Sequence, residues 1–432
     1  MAKVRYIFLA LVTLLGFCSC ERDGLDFTLN VGPYGEQPEE TRKVMLLYES
    51  GFNSLGGYMR TNIDDLQQGY LPGKDRDEDV LLVFSHLTKS SKNYKTETAP
   101  AMVRFYSDHG RFRADTLKVW PVGTPVANAA MVTEVFNWVK ETFPAASYGA
   151  VLSSHATGWL PKDYYSNASK FEGYNRGTME YWSPRMRTFG QEYYSLGTET
   201  EEIDIKDLAA AIPFKLDYIF FDACLMACVE VLWAMKDVCN YVVAAPTELP
   251  APGFDYTTLA GYLLQSDTPD FQAACEDFYA RYSKGGEYSY YGSCLMWADC
   301  RQMEGLSAVC RTLFDKYRTA IRTLDGRNVQ TYDEISSRKG FCVFFDLKDL
   351  LREAGASDSE LASLQSALDK VVLFEKHTLK TTYSPDLLRC CGLSMYLPSF
   401  PDNRRDAWHG TEKLDNFYKS NISWNDATGL VE

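Results

Sequence analysis

An α/β fold, with a mostly parallel sheet covered by helices on both faces and a smaller C-terminal α/β extension, is predicted by three observations. Short apolar runs of strand length recur at Lys43 to Tyr48, Asp79 to Phe84, Gly149 to His155, Leu216 to Phe221 and Tyr241 to Ala245. Segments of helical periodicity alternate with them, which implies parallel strands with helical crossovers. Two of the runs end in reactive residues, His155 and Cys224, as expected where strands of an open sheet reach their carboxyl ends.

Taken in order, Lys43 to Tyr48 reads as the first buried strand, Tyr58 to Gln67 as a helix and Asp79 to Phe84 as the second strand. Ala101 to Tyr106 and Arg111 to Trp120 form a hairpin around Ser107-Asp108-His109-Gly110, with Asp115 and Pro121 suited to a strand edge and its exit. The clearest helix is Asn128 to Thr142, where Met131, Val132, Val135, Trp138 and Val139 share a face. Pro161 to Glu202 breaks the alternation. It is rich in Tyr, Ser, Asn and Gly and is expected to be either a functional or a disordered connection. A short helix at Asp204 to Ala211 leads into the Leu216 to Phe221 strand. Immediately after Cys224 a helix is expected, with Leu225, Val229 and Leu232 at helical spacing. Pro246 to Tyr256 is a Pro-rich loop, Phe271 to Arg281 a helix, Tyr288 to Ala298 a strand and Leu306 to Leu324 a helix. Phe341 to Phe345 and Gly392 to Leu397 read as short strands flanking a helical Ser359 to Phe374, and Asn403 to Glu432 as polar and loosely held.

The 432 residues carry a net charge of -14, which argues against nucleic-acid partners, because phosphate binding needs clustered Lys and Arg. Residues 1–20 read as an export signal, with Lys3 and Arg5 before the apolar Tyr6 to Phe17, a run too short for a span of about 20 residues. Cys18-Ser19-Cys20-Glu21 is similar to a bacterial lipoprotein processing site, which makes Cys20 the lipidation candidate. Ordinary signal cleavage nearby is the alternative. Residues 21–41 read as a tether, 42–300 as the core domain and 301–432 as a C-terminal subdomain. Location in the cell envelope, periplasmic or surface-exposed, follows from these expectations. The twelve cysteines show no paired Cys-x-x-Cys zinc pattern, so no metal ligands are assigned.

Cys224 at a strand end invites two readings, a buried core cysteine or a nucleophile whose thiolate a helix N-terminus would favour. His155, ending a second strand, supplies the matching base. His109 is a rival base but falls at a hairpin tip, where a solvated turn is expected. Cys228 reads as core.

The residues around this pair resemble the clostripain family of cysteine peptidases, as a lipoprotein member of the Bacteroidetes type. The resemblance rests on His155-Ala156-Thr157-Gly158-Trp159, on Asp222-Ala223-Cys224-Leu225-Met226 and on Pro252-Gly253-Phe254, and spans roughly Lys43 to Pro398. Ala156 stands where the family often has Gly. The resemblance implies a caspase-like fold and a Cys224–His155 dyad acting on peptide bonds. The N–H groups of Cys224 and Ala156 would receive the oxyanion. It also implies preference for Arg or Lys before the scissile bond, read by Asp222, with Glu248 and Asp255 as further acidic candidates. Asp222 as a cap for the following helix is the structural alternative. Some family members use calcium, but no EF-hand-like loop is present, and no cofactor is assigned. Relatives are activated by cleavage, which makes Lys162, Lys170, Arg176, Arg185 and Arg187 candidate self-cleavage points of a zymogen. A catalytically silent surface-binding protein on the same fold and an acyltransferase with the same dyad are the competing functions.

Overall fold

The computed structural model describes residues 41–75, 79–90, 93–162, 164, 189–193, 200–333, 342–382, 384–401 and 408–432. In chain order the elements are β1 (Thr41–Gly51), α1 (Gly56–Leu66), β2 (Val80–Ser90), β3 (Asn93–Glu97), β4 (Ala101–Asp108), β5 (Arg111–Val119), α2 (Ala129–Thr142), β6 (Ala145–Ser153), β7 (Phe189–Tyr193), β8 (Thr200–Ile203), α3 (Ile205–Ala211), β9 (Leu216–Asp222), α4 (Val229–Met235) and β10 (Cys239–Ala244). They continue with α5 (Tyr256–Leu264), α6 (Phe271–Tyr282), β11 (Cys294–Asp299), α7 (Met303–Thr323), β12 (Phe345–Asp346), α8 (Leu347–Glu353), α9 (Asp358–Val371), β13 (Val372–His377), β14 (Ser394–Met395), α10 (Glu412–Asn421) and α11 (Ser423–Thr428).

The main sheet runs β13-β11-β10-β9-β6-β1-β2-β4-β5, with β3 paired to β2. Its centre, β10-β9-β6-β1-β2, is parallel, and antiparallel strands flank it on both sides. Alternation along each strand builds two cores. In β1, Val44, Leu46 and Tyr48 belong to the core shared with α2, α3, α4 and α7, whereas Met45 and Leu47 belong to the core shared with α1, α5 and α6. In β9, Ile219 and Phe221 join the first core, and Tyr218 and Phe220 the second. A strand buried on both faces has no polar side to show, which is why these runs read as continuously apolar.

The chain leaves β1 toward β2 on one side and returns through β6 on the other. The strand order therefore reverses between β1 and β6, and a crevice opens at their carboxyl ends.

Several expectations are corrected. The helix expected directly after Cys224 begins only at Val229, with Cys228 as an extended N-cap residue. Leu225 and Ala227 instead donate their N–H groups to Thr247 and Ala245, so the chain after β9 follows the exit of β10 before it can coil. Ser359 to Phe374 is not one helix: α9 stops at Val371, and β13 extends the sheet beyond residue 300. Strand β11 starts at Cys294, because Tyr288–Tyr291 is a turn. Helix α5 was not anticipated within the Pro-rich loop's continuation. Residues 408–432 are not loosely held: Tyr418 and Trp424 are fully buried, on helices α10 and α11. Part of the 161–202 connection is ordered as the β7–β8 hairpin.

Candidate active site

Three loops meet above the switch point. They follow β1, β6 and β9 and carry Ser54, His155 and Cys224. Ser153 pairs in register with Asp222, and His155 and Cys224 each lie two residues further on, so adjacent parallel strands deliver base and thiol side by side. Both line one cleft, together with Leu55, Tyr58 and Asn62 from the α1 side and Glu248, Leu249 and Pro250 from the loop after β10.

His155 is buried, and its Nε2 shares a 2.9 Å hydrogen bond with Ser54 Oγ. Its carbonyl accepts the N–H of Gly190 at 3.0 Å, so the β7–β8 hairpin docks on the backbone of the candidate base. Cys224 is partly exposed, as are Cys390 and Cys391, whereas the other described cysteines are buried. The N–H of Leu249 points at the Cys224 Sγ from 3.3 Å. That donor, rather than a helix N-terminus, is the polar group placed to favour a thiolate.

The turn after His155 is shaped by two residues of the sequence motif. Gly158 has φ +58°, and a Cβ there would stand 2.6 Å from the Leu225 carbonyl oxygen and 2.8 Å from the Phe344 ring. Glycine therefore allows the His155 and Cys224 loops to touch. Trp159 is fully buried and packs edge-to-face on Tyr396 and Tyr418 at 4.9 and 5.0 Å, which anchors the turn in the core. Ala156 has no positive φ, so its methyl group is tolerated where relatives often carry glycine. Leu225, immediately after Cys224, is one of two described non-glycine residues with positive φ, at 61°. Such strain is characteristic of functional turns.

Asp222 forms the floor. Its carboxylate accepts the Tyr256 hydroxyl at 2.8 Å and the Ser153 hydroxyl at 3.3 Å, and burial raises its pKa to about 6. It does not cap α4, which starts seven residues later. Gly253, at φ +64°, lies so close that a Cβ would come within 2.5 Å of this carboxylate, which gives the Pro-Gly motif its physical reason. Glu248 lines the same cleft. Asp255 does not: its carboxylate caps α5 through the Thr257 N–H and pairs with Arg281 at 2.7 Å. His109 sits exposed at the β4–β5 hairpin tip, bonded to Asp108.

Sequence reasoning missed two residues. Ser54 carries no motif of its own. Glu49 pairs in register with Ser153 and faces Asp222's side of the sheet, fully buried, with burial and the neighbouring Asp222 holding its carboxyl well above the ordinary range. A carboxylate closing an otherwise apolar strand was the available signal. Cys20, the residue 21–40 tether and Lys170, Arg176, Arg185 and Arg187 lie outside the described residues. Lys162 is described, and its N–H is held by Asp204 at 2.6 Å.

A model of the clostripain family matches residues 47–427. The chain belongs to the clostripain family. It is thus a cysteine endopeptidase, as its two strand-end motifs implied. Two solved structures share the clostripain-family fold. An inactive zymogen C11 protease from Parabacteroides distasonis superposes with a TM-score of 0.70 at 24% identity, covering 90% of this chain and 99% of that one. A secreted C11 cysteine protease from Bacteroides thetaiotaomicron, in complex with an irreversible peptide inhibitor, gives 0.67 at 21%, again over 90% and 99%. No curated protein matches. Among the described residues no helix is long and apolar enough to cross a membrane.

Proposed function

We propose that the chain is an exported, lipid-anchored endopeptidase that cleaves after Arg or Lys through a Cys224–His155 dyad. The observation that carries this reading is the single cleft into which His155, Cys224 and the buried Asp222 all open.

His155, whose Nε2 is bonded to Ser54, takes the thiol proton. The thiolate attacks the scissile carbonyl, and the N–H groups of Cys224 and Ala156 receive the oxyanion. Collapse of the tetrahedral intermediate expels the amine, which takes the proton from the imidazolium. Water, deprotonated by His155, then releases the acid and restores the thiol. A guanidinium or ammonium reaching the floor would meet Asp222 in a charge-assisted bond, with Glu248 at the wall.

The export signal and Cys20 support attachment to a membrane through lipid, with peptides rather than nucleic acid as partners. The docking of β7–β8 on His155 supports a loop that restrains the uncut enzyme. The deciding experiment uses a peptide library scanned at the residue before the scissile bond, with wild type, Cys224→Ala and His155→Ala. Cleavage after Arg and Lys by wild type, and loss of nearly all turnover in both folded variants, is expected. Near-normal turnover in either variant would remove the dyad.

A further inference from the structure

Away from the cleft, the far edge of the sheet brings together three side chains that the peptidase chemistry does not use. Cys294 opens β11, and Glu375 and His377 lie on β13. Cys294 is the register partner of His377, and Met296 that of Glu375. Residues two apart on a strand share a face. Thiol, carboxylate and imidazole therefore converge on the same side of two neighbouring strands, and their donor atoms all lie within 4.8 Å of one another. His377 Nδ1 and Glu375 Oε1 are 2.6 Å apart, and Cys294 Sγ is 3.9 Å from the same oxygen. Cys294 is buried, whereas Glu375 and His377 are half-buried and open to a cavity of about 490 Å³ that Cys390 and Cys391 also line.

We propose that Cys294, Glu375 and His377 bind a zinc ion, with the fourth position open to this cavity. One thiolate, one carboxylate and one neutral imidazole balance a divalent charge and form the mixed sulfur, nitrogen and oxygen set that zinc accepts. The site also has outer support. The main chain N–H of Leu387, on the loop beside the site, is fixed by the Leu379 carbonyl at 2.8 Å. The 390–392 loop lies on Glu375: a Cβ on Gly392 would come within 2.9 Å of its Cγ. The ion ties β11 to β13, the terminal strand of the sheet among the described residues. Two strands, β10 and β11, separate β13 from β9 and its Cys224, so the site acts on stability rather than on the reaction.

The test uses full-length mature protein carrying Cys224→Ser, so that the dyad thiol takes no metal. The protein is stripped with chelator and titrated with zinc sulfate alone. One zinc per chain and a higher melting temperature are expected. Adding Cys294→Ser or His377→Gln should weaken binding by about tenfold or more. Cobalt provides a second readout: a thiolate-to-cobalt charge-transfer band should appear and vanish with Cys294→Ser. Should Cys294→Ser not fold, the half-buried Glu375→Gln replaces it in the zinc titration. Failure of the Cys224→Ser protein to bind zinc, or equal binding by the ligand variants, overturns the site.

Discussion

Asp222 offers the sharpest check on specificity, because its charge is set by burial. The raised pKa of about 6 makes the carboxylate about nine-tenths ionised at pH 7 and about one-tenth at pH 5. For a substrate with Arg before the scissile bond, kcat/KM should therefore fall about tenfold per pH unit well below 6, following the free enzyme's ionisation. The quantity to follow is the ratio of Arg substrate to a neutral one in the same enzyme, from which effects common to both substrates cancel. Asp222→Asn keeps an oxygen for the Tyr256 hydroxyl but abolishes the charge. Removing one partner of a buried, hydrogen-bonded charge pair costs about 2–5 kcal/mol. The ratio should drop by about 30-fold to several thousand-fold and lose its pH dependence. Stability moves the other way. A carboxyl whose folded pKa lies above its unfolded value stabilises the fold at low pH, and that contribution is lost as pH rises from about 4 to about 6. Asp222→Asn should thus melt no lower than wild type at pH 8. A pH-independent ratio in wild type, or equal loss on Arg and neutral substrates, would refute the assignment.

Four further outcomes are expected. Ser54→Ala removes the hydrogen bond to His155 Nε2, and kcat should fall about fivefold for a bond of about 1 kcal/mol, with KM held and Ser54→Thr restoring the rate. Gly158→Ala forces a Cβ against the Leu225 carbonyl at positive φ. It should destabilise the protein by about 2–5 kcal/mol, read by denaturant unfolding. Mass spectrometry of active wild type should find cleavage after Lys170, Arg176, Arg185 or Arg187 and not after Lys162, whose main chain Asp204 holds. The fragments should stay joined through β6 and β9, and Cys224→Ala should remain whole; a fully active, uncut wild type rejects activation by cleavage. Cys20→Ala should release the protein from membranes, and absence of fatty-acid label on the intact protein would dismiss the anchor.

The apolar strands and the two motifs were legible in sequence because each is local. A central parallel strand must be apolar on both faces, and a strand end that carries His155 or Asp222-Ala223-Cys224 announces itself within a few residues. The helix after Cys224 was misread for a non-local reason. Leu225, Val229 and Leu232 have helical spacing, yet Leu225 and Ala227 are claimed by the carbonyls of Thr247 and Ala245, some twenty residues away in the chain. Strand β13 was hidden likewise, since its apolar start continues the pattern of α9 until pairing with β11 decides its conformation. Asp255, beside the Pro-Gly loop, and Asp222, two residues before Cys224, are both candidate acids for specificity, and only the fold separates them. Arg281 and the α5 N-terminus take up one, while Gly253 and the strand register bury the other beneath the cleft. The sequence by itself determined which residues can do the chemistry and that strands deliver them. The tertiary structure decided which of them meet, because strand order, register and the partners of a buried carboxylate depend on chain segments that sequence proximity does not relate.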